Sequence, residues 1–316
     1  MFEVLAVTLP VFAVIAVGYG VVRFGPFSRD TMRALGDFTM TVTLPCALFT
    51  AVAGRDFGEV VNLSYLVTLA LAGVATQLVM FAAARLQGAG PKRRALSVLA
   101  AATPNTAFLG YPIFLIVIPE HAAPVVAMNL LIENIVLTPI GLTLLGGARE
   151  DGAERVPPLR LAGQIVLSVL KRPLIIGLLL GFGVVLTGVE SPAVLERFTG
   201  LLGQAAAPVA LAVIGGSLFG LNLQGDLTLA GLIAFVKMIV HPAAVVVMYG
   251  VLASAGWVAL PDPLRIGLIL TACMPMFAIF VLFGQEAGHE GLASLALLIG
   301  TCLSFVTVNV ALLLLI

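Results

Sequence analysis

Long apolar runs separated by short polar stretches dominate this chain of 316 residues. Ten of the runs hold about 20 residues, the length that an α-helix needs to cross the hydrocarbon core of a bilayer, so the pattern predicts ten transmembrane spans. The longest polar stretch, residues 146–160, divides them into five and five. In chain order, the predicted spans 1 to 10 cover residues 4–23, 36–54, 61–85, 95–118, 122–146, 164–188, 199–220, 227–255, 265–287 and 291–315.

The composition supports an all-α membrane protein without a soluble domain. Hydrophobic residues make up 60% of the chain and charged residues 10%, whereas soluble domains carry about 25% charged residues. The formal net charge is zero, which gives no reason to expect a nucleic-acid partner. The expected surroundings are therefore the lipid bilayer, with one five-span half in residues 1–146, a loop in residues 147–163 and a second half in residues 164–316.

The basic residues of the loops predict how the chain is oriented. Twelve of the 16 Lys and Arg residues fall in loops on one side of the ten spans and three on the opposite side. Because cytoplasmic loops carry the excess of Lys and Arg, we expect the central loop in the cytoplasm and both termini outside. The protein is thus predicted to be a multi-pass protein of the cytoplasmic (inner) membrane.

Motifs for enzymes and metal sites are missing from the sequence. The three cysteines, Cys46, Cys273 and Cys302, lie in apolar runs without a metal-ligand spacing, so we expect free thiols and no metal site. Walker A, HExxH and GxSxG motifs are absent as well. We predict neither catalytic activity nor a bound cofactor, while coupling to H⁺ or Na⁺ stays possible.

The two halves of the chain repeat each other. The segments PVFAVIAVGYGVV of span 1 and PLIIGLLLGFGVV of span 6 align at an offset of 163, so Gly18 and Gly20 fall on Gly181 and Gly183. Small residues let membrane helices approach closely, and we expect this role for all four glycines. Because each repeat has five spans, the second must enter from the opposite side, which predicts inverted repeats typical of secondary transporters.

Helix-breaking residues lie in the middle of spans 4 and 9. Pro104 and Pro275 predict two interrupted spans that cross at the membrane midplane, since irregular backbone at that depth is tolerated only inside the protein. Asn105 and Thr106 would open the second half of span 4, and Met276 that of span 9. Free N–H groups at such helix starts favour an anion such as a carboxylate. The alternative is that both prolines only kink continuous helices.

Polar and ionisable side chains in spans 5 and 8 are further site candidates. Asn129 and Glu133 lie four residues apart, as do Lys237 and His241, so each pair shares one helix face. A Glu133–Lys237 pair would avoid an isolated charge in the membrane. It could be a static salt bridge, or Lys237 could meet an anionic substrate and Glu133 exchange a proton. His241 could instead be a local cap, and Gln77 of span 3 is a weaker candidate.

Three segments resemble one known family. NTAFLGYP (105–112), ACMPMFAIFVLFGQEAG (272–288) and TLPCALF (43–49) are similar to segments of the auxin efflux carrier (PIN-like) family, in the same order along the chain. The resemblance implies inverted repeats with crossing spans 4 and 9, as in bile-acid-transporter and sodium-proton-antiporter folds. It further implies a scaffold of spans 1, 2, 6 and 7, a transport domain of spans 3, 4, 5, 8, 9 and 10, an elevator motion, and a possible homodimer through the scaffold.

The resemblance also implies the type of substrate. Bacterial members are described as transporters of malonate and other small organic acids, and plant members export the carboxylate hormone auxin. The chain departs from the family at Ala107, where many relatives have Gly, and at Ala278 and Ile279, where many carry an Asn. We expect a secondary transporter of small organic anions; the alternatives are a cation or proton antiporter on the same fold and a membrane sensor that binds a ligand without transporting it.

Overall fold

The computed structural model describes residues 2–53, 61–148, 171–187 and 191–315. In these ranges the regular structure is helical, apart from one isolated antiparallel β-bridge between Pro104 and Met276. The helices are α1 (Phe2–Arg23), α2 (Arg29–Phe38), α3 (Leu44–Ala53), α4 (Leu63–Leu86), α5 (Pro91–Ala102), α6 (Tyr111–Val117), α7 (Ala122–Ile132), α8 (Thr138–Gly147), α9 (Pro173–Thr187), α10 (Ala193–Gln204), α11 (Ala206–Leu218), α12 (Leu227–Phe235), α13 (His241–Ser254), α14 (Asp262–Ala272), α15 (Phe280–Glu286) and α16 (Glu290–Leu315).

Seven helical segments among the described residues are long and apolar enough to cross a membrane. They correspond to predicted spans 1, 2, 3, 5, 7, 8 and 10 and establish a multi-pass membrane protein. They are Leu5–Arg23, Arg29–Ala53, Leu63–Leu86, Pro119–Gly147, Ala193–Leu218, Leu227–Ser254 and Glu290–Leu315.

The other three predicted spans differ from these continuous segments. Span 4 is divided into the pieces 91–102 and 106–117, and span 9 into 262–272 and 280–286. Span 6 is described only from residue 171 onward, as α9, and most of the predicted central loop lies outside the described residues. The count of ten spans and the inversion of the repeats therefore stay predictions.

Four π-helical turns, in spans 2, 4, 5 and 8, share one sequence signal. Each ends two residues before a proline, which has no N–H and clashes with the carbonyl one turn back. The widened turn relieves the clash; for example, the Thr138 N–H bonds to the Glu133 carbonyl, five residues back. Such turns are frequent at functional sites. The turns are Thr39–Thr43, Thr106–Gly110, Glu133–Leu137 and Val236–Val240, and the prolines are Pro45, Pro112, Pro139 and Pro242.

One compact unit, here called unit 1, comprises residues 1–63, 107–128 and 167–220. Its described part contains α1 packed along α11 and α3 packed along α9. Glycines make these contacts close: Gly18 faces the Ala212 backbone and Gly215 faces the Ile15 carbonyl, where a side-chain carbon would overlap with the neighbouring backbone. Unit 1 is thus built on direct approach of helix backbones.

The expectation of four close glycine contacts in unit 1 is half right. Gly18 contacts α11, and Gly181 lies against Val52 of α3. The prediction is wrong for Gly20 and Gly183, because a Cβ there would have no heavy atom within 4 Å. Gly20 is half-buried and Gly183 is exposed. Of the two aligned glycine pairs, Gly18 and Gly181 are therefore both at close contacts, and Gly20 and Gly183 are both open.

The second compact unit, unit 2, comprises residues 64–106, 129–166 and 221–316. In its described part α5 packs against α8, and α12 and α15 pack against α16. An apolar core of fully buried side chains, including Leu96, Ile233 and Phe280, joins these helices. Met276, from the break in span 9, belongs to this core. Residues 273–276 of the irregular segment are therefore enclosed by protein, as backbone at membrane depth requires, whereas Ile279 at its end is exposed.

Candidate functional site

The breaks in spans 4 and 9 meet inside unit 2. The Asn105 N–H donates to the Pro275 carbonyl at 2.8 Å, and the Phe277 N–H donates to the Thr103 carbonyl at 3.3 Å. These bonds flank the β-bridge between Pro104 and Met276. Each interrupted segment thus satisfies backbone groups of the other, and the two spans are paired breaks and not kinked rods.

The prolines explain where the helices stop. Pro104 disfavours the α-conformation for the residue before it, and Thr103 is extended, with φ −100° and ψ 101°. In span 9, α14 ends at Ala272 and helical structure resumes only at Phe280. The prediction that Met276 opens the second half of span 9 is therefore wrong, because Met276 and Phe277 pair with span 4 as extended backbone.

Thr106, the first residue of the π-helical turn in span 4, contacts span 5. Its hydroxyl donates a hydrogen bond to the carboxylate of Glu133, which begins the π-helical turn of span 5. Both side chains are buried. The amide of Gln77 closes the other end of that turn, donating to the Leu137 carbonyl at 2.9 Å. Predicted residues of spans 4 and 5 are thus brought together at the breaks.

Lys237 reaches the break in span 9. Its ammonium, fully buried, donates to the Ala272 carbonyl at 3.2 Å. Ala272 is the last residue of α14, and a cation is favourable at the negative end of a helix dipole. The Glu133 carboxylate also acts on this ammonium electrostatically. The direct Glu133–Lys237 salt bridge expected from the sequence is not formed among the described residues. The Lys237 ammonium instead donates to a backbone carbonyl, and the Glu133 carboxylate accepts from Thr106.

His241 lies one turn after Lys237 and contacts span 3. Its Nδ1 is 3.0 Å from the hydroxyl oxygen of Thr76, and both residues are fully buried. His241 follows a π-helical turn and precedes Pro242, yet its ring bonds to another span. The interpretation as a local cap is therefore wrong.

A buried network includes two residues that the sequence analysis missed. Tyr65 donates to the Asn129 amide oxygen at 2.8 Å, and the Asn129 amide nitrogen donates to the Thr271 hydroxyl at 2.7 Å. Thr271 in turn donates to the Gly267 carbonyl at 2.7 Å. Tyr65 and Thr271 could have been found as hydrogen-bonding side chains inside apolar runs. Asn129, predicted to bind substrate, has both ends of its amide occupied by protein groups.

The arrangement concentrates polar chemistry around the paired breaks. One carboxylate, one ammonium and one imidazole come from spans 5 and 8, and hydroxyl and amide groups come from spans 3, 4 and 9. Among the described residues, no group of three or more His, Cys, Asp or Glu side chains could hold a metal ion. The three cysteines are free thiols. Such a cluster can bind a small charged molecule and exchange protons with it.

Comparison with known proteins gives a consistent result. Residues 4–312 match the family model Mem_trans, described as "Membrane transport protein". A protein of Rhizobium meliloti (strain 1021) named "Putative malonate transporter" is 28% identical over 319 residues, which cover 98% of this chain and 95% of that protein. The resemblance deduced from the three sequence segments is thereby confirmed. The chain belongs to the PIN-like family of membrane transport proteins.

Proposed function

We propose that the protein is a secondary transporter of small organic anions, carboxylates such as malonate or auxin-like acids, that binds its substrate at the paired breaks of spans 4 and 9. The observation that carries this proposal is the mutual hydrogen bonding of the two interrupted segments inside unit 2. Broken helices at equivalent positions of two repeats typically form the substrate site of secondary transporters.

The charges around the breaks support an anionic substrate. Lys237 provides a buried ammonium that uses one of its three donors on the Ala272 carbonyl, which leaves donors for a carboxylate. Asn105 and Thr106 place polar side chains at the start of the second half of span 4. The name of the Rhizobium relative supports malonate as the first compound to test.

The division into two units supports an elevator motion. Unit 1 holds spans 1, 2 and 7, the described part of span 6, and residues 107–128 of spans 4 and 5. Unit 2 holds spans 8, 9 and 10, nearly all of span 3, and the remaining parts of spans 4 and 5. The polar cluster lies entirely within unit 2. We propose that unit 2 carries the substrate and unit 1 is the scaffold. Among the described residues, the chain passes between the units at residues 63–64, 106–107, 128–129 and 220–221.

We also propose that the protein forms a homodimer. Helix α10 of unit 1 exposes Val194, Phe198 and Leu201 at 80%, 58% and 73%, on one apolar helix face that suits a second copy or lipid. We expect light scattering of the detergent-solubilised protein to give twice the monomer mass.

We further propose that the central loop lies in the cytoplasm and both termini lie outside. With single cysteines placed in the loops, the central loop should be labelled only from the cytoplasmic side of the inner membrane.

Uptake into proteoliposomes tests the transport proposal. Labelled malonate and a panel of mono- and dicarboxylates are supplied with and without imposed proton and sodium gradients. We expect saturable malonate uptake that unlabelled carboxylates inhibit. Proton or sodium flux without carboxylate uptake would favour the antiporter, for which the buried Glu133 carboxylate is the candidate group. Carboxylate binding without uptake under any gradient would favour the sensor.

A further inference from the structure

The hydrogen bonds of Thr76 fix the tautomer of the neutral His241 ring. The Thr76 hydroxyl oxygen lies 2.8 Å from the Ala72 carbonyl and 3.0 Å from Nδ1 of His241. A hydroxyl has one proton, and a carbonyl oxygen can only accept. If Thr76 donates to Ala72, it accepts from His241, and the ring proton lies on Nδ1. Nε2 of the neutral ring then carries a lone pair.

That lone pair faces the protein interior without a partner. Nε2 of His241 is buried and has no hydrogen-bond partner among the described residues. Buried polar groups are almost always hydrogen-bonded, and each exception needs an explanation. An unpaired acceptor in a fully buried ring of a transporter points to a group that binds there during the transport cycle.

Titratable and charged groups surround His241 from its own span and from spans 3, 4, 5, 9 and 10. Span 3, which His241 contacts through Thr76, contributes the buried Tyr65 and, in its last turn, Arg85. Helix α14 of span 9, which packs against α13, contributes Asp262 and Arg265 near its start.

Lys237, one turn earlier on span 8, is the charged group that acts on the ring. Span 5 contributes the Glu133 carboxylate and span 9 the Cys273 thiol, both of which act on Lys237. Spans 4 and 10 also pack against the Val236–Val240 turn. Their charged residues lie at the span ends: Lys92, Arg93, Arg94 and Glu290.

Neutral His241 repels an anion at Nε2, whereas protonated His241 attracts it. A neutral ring presents the lone pair of Nε2, which repels a carboxylate oxygen. A protonated ring becomes a donor at Nε2, but it then lies one turn from the Lys237 ammonium, and like charges disfavour each other. An anion between the two cations removes that conflict. Proton binding and anion binding therefore favour each other, and such coupling is reciprocal.

We propose that His241 takes up one proton on Nε2 together with the substrate anion, so that the protein carries the anion and the proton in the same direction. The inference rests on the proposed transport of organic anions and specifies its coupling. The proton comes from water on the side where the anion enters, binds the Nε2 lone pair, and returns to water on the side of release. Lys237 supplies the fixed charge and His241 the exchangeable one.

Calorimetry on the wild-type protein tests the proton uptake directly. Malonate is titrated into the purified protein at about pH 8, well above the usual pKa of carboxylic acids, in buffers with different ionisation enthalpies. The dependence of the heat on the buffer measures the protons taken up, and we expect about one per malonate. Malonate binding without proton uptake overturns the inference but not the transport proposal. Absence of both binding and uptake for malonate and for every other carboxylate of the panel overturns both.

A substitution at His241 assigns the proton to its ring. The His241→Asn variant keeps an N–H donor toward Thr76 and lacks the ring nitrogen that binds the proton. The matched control is His289→Asn, which removes another of the three histidines in the chain. Malonate exchange is measured with the same pH on both sides, from about pH 8 to about pH 6, after gel filtration has shown which variants are folded.

The expected results separate the variant from its control. Apparent malonate affinity of the wild type and of His289→Asn should rise by up to about tenfold for each unit of falling pH, the limit for one linked proton. The affinity of folded His241→Asn should be independent of pH. A wild-type pH dependence in folded His241→Asn overturns the inference. If that variant does not fold, the calorimetry on the wild type still shows whether a proton is taken up with malonate.

Discussion

The two compact units bury different kinds of polar side chain. Among the described residues, those of unit 1 are four threonines, whose hydroxyls can bond within their own helix; Thr199, for example, donates to the Leu195 carbonyl at 2.9 Å. Amide and charged side chains cost free energy to bury unless they are hydrogen-bonded or paired. Among the described residues, the buried Asn, Gln, Glu, Lys and His side chains all lie in unit 2: Gln77, Asn105, Asn129, Glu133, Asn134, Lys237 and His241.

This difference shows how the two units are stabilised. The packing of unit 1 depends on shape complementarity, because its helix backbones approach each other at glycines such as Gly18 and Gly215. Unit 2 has its own apolar core and adds a set of polar groups that cost free energy to bury. We infer that this cost is tolerated because the polar groups serve transport. Substitutions in unit 1 should therefore change folding, and polar substitutions in unit 2 should change transport.

The largest expected effect is a loss of folded protein on changing Gly215. A Cβ at this position would overlap the Ile15 carbonyl, and Gly215→Val cannot be accommodated without separating α1 from α11. Overpacking costs about 1–3 kcal/mol, and more where the neighbour is backbone, so we expect little folded protein in thermal unfolding and gel filtration. The control, Gly20→Val, has no heavy atom within 4 Å of the new carbon and should be close to wild type. Folded, stable Gly215→Val would contradict the shape-based account of unit 1.

The second-largest expected effect is at Lys237, where a substitution should reduce transport but leave the protein folded. Lys237→Met keeps the length of the side chain and removes the charge. Burial of an ammonium costs free energy, and Lys237 forms no direct salt bridge among the described residues, so the fold should survive the loss of this charge. Uptake at low substrate concentration should fall roughly 100-fold, equivalent to about 2.7 kcal/mol of lost binding. Ile239→Met, on an exposed face of the same turn, is the control. Normal uptake by folded Lys237→Met would show that the ammonium has only a structural role.

A smaller effect is expected for the network that joins spans 3, 5 and 9. Tyr65→Phe removes the hydrogen bond to the Asn129 amide oxygen, and a buried hydrogen bond contributes about 1 kcal/mol to stability. Thermal unfolding should shift by a few degrees, with uptake reduced less than in Lys237→Met. The double variant with Thr271→Val should lose less stability than the sum of the two single losses, since both residues bond to Asn129. Additive losses would mean that the network does not act as a unit.

The central feature of the fold could be predicted because its cause is local. Pro104 restricts the backbone of the residue before it, and two interrupted spans in a membrane can satisfy each other's free backbone groups. The π-helical turns have a local cause as well, a proline two residues beyond the turn, but the sequence analysis did not use this signal. A proline inside an apolar run is therefore compatible with a break, as at Pro104, with a widened turn, as before Pro139, or with a regular helix, as at Pro10.

The partners of the buried charges could not be predicted, because they are backbone groups or distant side chains. The carbonyl of Ala272 becomes an acceptor for Lys237 only because α14 ends there, and sequence does not show carbonyl directions. The same reason accounts for Met276, whose N–H was expected to begin a helix. Tyr65 and Thr271 are 206 positions apart, and their meeting at Asn129 depends on how three spans pack.

The smallest expected effect concerns a titratable group of unit 2 that lies outside the spans. Partial burial, together with the nearby charges of Arg93 and Lys92, lowers the pKa of His289 from its usual 6.5. The folded state therefore binds a proton at His289 less readily than the unfolded state, so stability is full above the usual pKa and declines as pH falls through it. Thermal unfolding from about pH 8 to about pH 5 should show a slight loss that His289→Asn lacks. Lys92→Gln, which removes one repelling charge and leaves the Arg93–Asp226 salt bridge of 3.0 Å, should reduce the loss. If stability changes with pH in both variants as it does in the wild type, the pH dependence comes from other titratable groups and not from His289.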